Sequence, residues 1–186
     1  MRKYIVLCAL IGSSFLSAQS IWKADVACSN LNFSISHLLI SKVAGSFANF
    51  DIEATANDDF DNPSFTASIE TTSINTDNNN RDKDLRDKDY FDTTTYPNMT
   101  FKSTSYKKTG DKTFVLGGDL TIKGTTKQVE FQGKLNDIIT DPKSQKLKAR
   151  LEFSGTIDRK DFNVGSSIIP MGDEVDITIN LEMVQQ

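Results

Sequence analysis

Apolar and polar residues alternate along most of this chain with a period of two, the signature of strands that bury one face and wet the other. Leu31, Phe33 and Ile35 alternate with Asn30, Asn32, Ser34 and Ser36, and Phe50, Ile52, Ala54 and Ala56 with Asp51, Glu53 and Thr55. Phe65, Ala67 and Ile69 form a third run, and Met99 and Phe101 a fourth. Phe114, Leu116, Gly118, Leu120 and Ile122 follow, then Val129, Phe131, Gly133 and Leu135. Leu147, Ala149, Leu151, Phe153 and Ile157 make a seventh run, and Val175, Ile177, Ile179, Leu181 and Met183 the last. Thr109-Gly110-Asp111, Lys123-Gly124-Thr125-Thr126 and Thr140-Asp141-Pro142-Lys143 supply turn chemistry between neighbouring runs, which predicts antiparallel hairpins. The pattern gives an all-β domain of eight strands.

One stretch departs from the alternation. Asn78 to Phe91 is rich in charge and contains no β-branched residue. It predicts a short helix over 80–88 on the outside or across one end, with a solvated loop as the alternative. Asp82, Asp84, Asp87 and Asp89 lack the central glycine and closing glutamate of a calcium hand, so they are expected on a solvated helix face.

The start of the chain reads as an address. Met1-Arg2-Lys3 is basic, Tyr4 to Leu16 is an apolar run too short to span a bilayer comfortably, and Ser17-Ala18-Gln19-Ser20 supplies small residues. A signal peptide over 1–18 and a single domain over 19–186 are expected. With 186 residues, 38% hydrophobic and 25% charged, one ordinary domain accounts for the chain. The formal charge of −4 argues against a nucleic-acid binder. One histidine and two cysteines are too few for a His/Cys zinc site. Cys8 leaves with the signal peptide, so no disulfide forms within the mature chain. Cys28 is expected as a small buried hydrophobe; exposed, it would link two chains into a homodimer.

Eight antiparallel strands with one apolar face make a sandwich or a closed barrel. Phenylalanines share that face with small residues such as Ala54, Ala67, Gly118, Gly133 and Gly155. Such interleaving serves tight packing or the wall of a hollow equally well. His37, in phase with Phe33 and Ile35, should point inward. Without a Gly-x-Ser-x-Gly elbow it reads as a core or ligand-contacting histidine rather than a hydrolase base.

Several motifs together resemble the YceI-like family. They are Trp22-Lys23-Ala24-Asp25, Ser29 through Leu38, Val43-Ala44-Gly45-Ser46-Phe47 and Ser73-Ile74-Asn75-Thr76. Arg81-Asp82 with Leu85, Tyr90-Phe91-Asp92 through Tyr96-Pro97, Gly118 through Lys127, and Arg159-Lys160-Asp161-Phe162 complete the set. The resemblance implies an eight-stranded, lipocalin-like antiparallel barrel with a short helix near one end. It further implies a periplasmic or secreted protein, cofactor-free, holding one long apolar molecule of the isoprenoid or fatty-amide kind. Three positions depart from the family pattern: Cys28 and Asp84 where histidines are usual, and Asn163 where glycine is usual.

Recognition of a hydrocarbon chain comes from apolar area and shape. Each buried CH₂ contributes roughly 0.8 kcal/mol, so about ten carbons gross roughly 8 kcal/mol before ordering costs. The expected wall comprises Phe33, Ile35, Phe50, Ile52, Ile69, Phe101, Leu120 and Ile122, continuing through Phe131, Leu151, Phe153, Ile177 and Ile179. His37 is the first candidate for a headgroup contact and Arg81 the second. The rival readings are a hydrolase using His37 and a small outer-membrane barrel with its apolar face outward. Neither nucleic acid nor stable membrane insertion is expected.

Overall fold

The computed structural model describes residues 19–37, 41–165 and 171–186, with the backbone alone described at His37 and Ser41. The proposed signal peptide therefore lies outside the described residues. Eleven strand segments form one antiparallel sheet. They are β1 (Ser20–Ala24), β2 (Asn30–His37), β3 (Ser41–Phe47), β4 (Phe50–Ala56), β5 (Ser64–Glu70), β6 (Ile74–Asn75), β7 (Asn98–Lys108), β8 (Thr113–Ile122), β9 (Thr125–Thr140), β10 (Leu147–Asp158) and β11 (Met171–Gln185).

These segments are eight strands, three of them broken. The 3-10 turn Val26–Cys28 interrupts the first strand between β1 and β2, yet both halves lie antiparallel to β11, through Trp22 with Gln185 and Ile35 with Val175. Ala48 and Asn49 separate β3 from β4, and Thr71–Ser73 separates β5 from β6. The order β1-β4-β5-β7-β8-β9-β10-β11 closes on itself through the β1–β11 ladder. The architecture is a closed eight-stranded antiparallel barrel. Closure removes the free edges along this ring that would otherwise template aggregation. The pattern in the sequence found one segment of each strand and missed β1, β3 and β6.

Turn chemistry sets the hairpins. Lys123 and Gly124 both take positive φ (49° and 73°) between Ile122 and Thr125, as a two-residue primed turn requires. Thr125 and Thr126, expected in the turn, already pair in β9.

The two ends of the barrel differ. At one end the interior is filled by a run of rings. Trp22 meets Phe60 at 5.0 Å, Phe60 meets Phe65 at 6.0 Å, Phe65 meets Phe153 at 5.4 Å, and Phe153 meets Phe114 at 5.8 Å. Trp22, Ala56, Ala149 and Met183 are fully buried there. At the other end β6 is two residues long, and the described ladders do not join it to β7. The segment between them carries α1 (Asn79–Arg86), the expected helix. Asn78 caps it, accepting from the amides of Asn80 and Arg81 at 3.1 Å.

Asp82 corrects one expectation. It is buried, not solvated: its Oδ1 accepts from the Thr76 amide at 2.9 Å and the Thr76 hydroxyl at 2.5 Å. Charge spacing alone did not reveal that the helix turns this carboxylate inward. Cys28 corrects another, being exposed in the turn that breaks the first strand. Asn163 adopts the left-handed conformation (φ 57°, ψ 34°), which explains how it replaces a glycine.

Candidate functional site

Within the barrel lies a cavity of about 260 Å³. Its position follows from the order of inward residues along each strand. On β11, Met183 and Leu181 are buried at the filled end, and Ile179, Ile177 and Val175 then line the cavity. On β10, Ala149 and Leu151 are packed, Phe153 forms the floor, and Ile157 lines the wall. On β8, Phe114 is packed, while Leu116, Leu120 and Ile122 face the space.

Exposure follows the same gradient. Leu151 and Met183 are 1% and 0% exposed. Phe33, Phe101, Ile157, Ile177 and Ile179 occupy equivalent inward positions yet are only half-buried. An inward side chain of a closed sheet stays accessible only where unfilled space adjoins it, so these residues mark the hollow.

Of the wall expected from sequence, Phe33, Ile35, Ile52, Ile69, Phe101 and Leu120 line the cavity, as do Ile122, Phe131, Phe153, Ile177 and Ile179. Arg81 joins them. Phe50 packs beside the core but off the cavity, and Leu151 is enclosed at the filled end, below the floor made by Phe153. The His37 side chain lies outside the described residues, and so does any headgroup contact it makes.

Sequence reading missed several wall residues. Leu85 comes from α1 itself, and Tyr90, Phe91, Phe162 and Val164 from the segments that follow α1 and β10, where no period-two signal exists. Val43 and Phe47 come from β3. Phe91 packs edge-on against Phe47 at 5.7 Å, so the helical segment closes over the wall through an aromatic contact.

Polar groups gather at the α1 end. Exposed Asp84 joins the wall there, so the hollow reaches the surface at this end. Arg81 donates from Nε to the Thr76 hydroxyl at 2.7 Å and from Nη2 to the Thr76 carbonyl at 2.8 Å. Thr76 thus accepts from Arg81 and donates to Asp82, which holds the guanidinium in place. Arg159, also lining the cavity, is 7% exposed. It donates to the carbonyls of Gly172 (2.9 Å) and Val164 (2.8 Å) and pairs with Asp173 at 3.2 Å. Both cations are anchored to backbone and flanked by carboxylates, while the space beneath them is almost wholly apolar.

A separate grouping lies outside the barrel. Asp25, Cys28 and Glu182 bring three potential ligand atoms within 4.8 Å of one another. The Asp25 and Glu182 carboxylates push the Cys28 thiol above its ordinary pKa. Asp25 caps the Ala27 amide at 3.1 Å, and Glu182 accepts from Lys148 at 2.8 Å.

The outward positions of β10 carry Arg150, Glu152 and Ser154. That is the inverse of a barrel whose outer face meets lipid. The class defined by fold and site is therefore a closed antiparallel barrel with an inward apolar face and a blind hollow at one end. The model of the YceI-like domain matches residues 22–183, and the chain belongs to that family. Protein YceI of Escherichia coli is 44% identical over 69 residues; this stretch is 37% of the chain and 36% of that relative's length. The crystal structure of a Campylobacter jejuni YceI protein superposes with a TM-score of 0.75 at 25% identity, covering 100% of this chain and 99% of that one. A polyisoprenoid binding domain from Saccharophagus degradans, implicated in plant cell wall breakdown, shares the fold with a TM-score of 0.66 at 15% identity, covering 89% and 98%.

Proposed function

We propose that this chain is a non-catalytic binding protein that holds one long apolar molecule, of the isoprenoid or fatty-amide kind, inside its barrel. The carrying observation is the half-exposure of inward residues such as Ile177 and Phe101 around an apolar hollow. The hydrocarbon lies along the wall formed by Phe33, Ile35, Ile52, Ile69, Phe101 and Leu120, with Ile122, Phe131, Phe153, Ile177 and Ile179 completing it. The polar end sits near Arg81 and Arg159, with His37 as a further contact. Family membership and the polyisoprenoid-binding relative of the same fold support this reading. The address-like first 18 residues support carriage or storage in the periplasm or outside the cell.

The interior offers apolar area as its main currency of recognition. A guest of about ten buried carbons grosses roughly 8 kcal/mol, enough for micromolar binding if ordering costs are small. Titration with geranylgeraniol, competing for a fluorescent apolar dye, should give saturable binding in that range. Ile177→Asn puts an amide where the chain should lie and should weaken it by about ten-fold or more. Equal affinity for the variant, or no saturable binding by the native protein, refutes the proposal.

A further inference from the structure

We infer that residues 78–96 form a door in the barrel wall, held shut by Arg81, Arg86 and Lys123, and that the apolar guest enters and leaves through the gap this door uncovers beside β6. This inference rests on the lipid-holding reading and specifies the route its guest takes.

The sequence marks the latch. Arg81-Asp82-Lys83-Asp84-Leu85 is followed at once by Arg86-Asp87-Lys88-Asp89-Tyr90, a five-residue repeat that sets two arginines on α1. β6 pairs with β3 along one edge, and the described ladders place no strand along the other. Carbonyls of an extended chain point alternately to its two edges. The Ser73 carbonyl faces the β3 side, where it accepts from the Ala48 amide at 3.3 Å. Those of Thr72, Ile74 and Thr76 face the unpaired side. Arg86 donates to the Thr72 and Ile74 carbonyls at 2.8 and 2.7 Å, and Arg81 to the Thr76 carbonyl at 2.8 Å. Asp82 accepts from the Thr76 amide at 2.9 Å. Side chains of one helix thus satisfy an edge that a neighbouring strand satisfies elsewhere in the wall.

Such a seam parts more easily than a ladder. Among the described residues, one backbone–backbone bond ties 78–96 to the rest of the barrel, from the Gly165 amide to the Asp89 carbonyl at 2.9 Å. On the far side Lys123, in the turn between β8 and β9, donates to the Lys88 carbonyl at 2.7 Å and the Asn163 carbonyl at 3.1 Å. The bonds of Arg86 to Thr72 and of Lys123 to Lys88 lie at the surface, where water replaces them one at a time. The segment meanwhile holds itself together. Phe91 donates its amide to the Leu85 carbonyl at 3.1 Å, Thr93 to that of Arg86 at 3.1 Å and Tyr96 to that of Asp92 at 2.8 Å. It therefore moves as a unit. Leu85, Tyr90 and Phe91 on this segment are cavity wall, so its displacement opens the hollow directly. Arg86 and Lys123 lie off the cavity and grip the frame without touching the guest.

The test follows retinol, a fluorescent isoprenoid alcohol, by stopped flow as it binds the native chain, Arg86→Ala and Lys123→Ala. The latch bonds are made whether or not a guest is inside, so loosening them speeds traffic in both directions. Association and dissociation rate constants should both rise about ten-fold in Arg86→Ala and about three-fold in Lys123→Ala, with affinity within about two-fold of native. Arg86→Lys retains a donor and should fall between native and Arg86→Ala. Circular dichroism confirms folding; if Arg86→Ala does not fold, Lys123→Ala supplies the loosened arm. Paired acceleration at constant affinity establishes the door, since a merely structural latch lowers the melting temperature and leaves both rates alone. Unchanged rates in the folded variants, or affinity lost through dissociation alone, overturn it. Native protein that binds no retinol removes the lipid-holding reading and the door with it, whereas saturable binding with unaltered rates removes only the door.

Discussion

At the scale of single residues, polar groups hold the open end in shape. Arg81, Thr76 and Asp82 form a relay in which Arg81 donates to the Thr76 hydroxyl and carbonyl and Thr76 donates to Asp82. Asp82→Ala strips the buried Thr76 amide and hydroxyl of their acceptor and leaves Arg81 attached to a loosened loop. Unsatisfied buried donors cost about 1–3 kcal/mol. A urea denaturation curve should show that loss in midpoint; an unchanged midpoint would mean the relay is ornamental. The relay was hard to read from sequence, because Asp82 sits among acids of similar spacing that do face solvent. Cys28 makes a second prediction. Its raised thiol pKa keeps thiolate scarce, so iodoacetamide should modify it more slowly than free cysteine near neutral pH. Asp25→Asn removes the largest cause and should accelerate the reaction, whereas equal rates would contradict the electrostatic account.

At the scale of elements, the alternating pattern located eight strands but not their interruptions. Long runs such as β8 and β10 were legible because each has a clean apolar face. β3 was not, since Lys42, Ala44, Gly45 and Ser46 carry little contrast between faces. Its glycine has a physical reason: Gly45 lies opposite Phe33, and a Cβ there would come within 2.5 Å of the Phe33 ring. Gly45→Ala should push that ring into the hollow, weakening binding of an apolar guest more than it lowers the melting point. The turn from β9 to β10 adds a pH dependence. Amides of Ser144 and Lys143 hydrogen-bond Asp141 and hold its carboxyl at about 2, below the ordinary 3.8. A depressed native pKa means that the unfolded chain binds the proton more readily. The stabilisation is therefore complete above the ordinary value and lost as pH falls from about 4 toward about 2. Asp141→Asn should flatten the fall in melting temperature across that interval; an unaltered slope would assign it to other carboxylates.

For the whole molecule, sequence could not decide between a packed interior and a hollow one, because large rings beside small residues serve both. The structure contains both, at opposite ends. Phe50 and Leu151 share the phase of the wall residues yet lie off the cavity, since phase reports the face of a strand and not the depth along it. Trp22, the chain's single tryptophan, lies behind the floor. Its emission should stay unchanged when an alkanol binds, while a tryptophan placed by Phe101→Trp in the wall should respond. A shift at Trp22 alone would put the guest at the wrong end. The central claim is that the hollow carries a long apolar guest in its native setting. Mass spectrometry of an organic extract tests it most directly, using protein purified without detergent from its own cells beside the cavity-filling variant Ala67→Phe. The account predicts one hydrocarbon-chain species at about one per native chain and less in the variant. An extract with no such species, or equal amounts from both proteins, contradicts it.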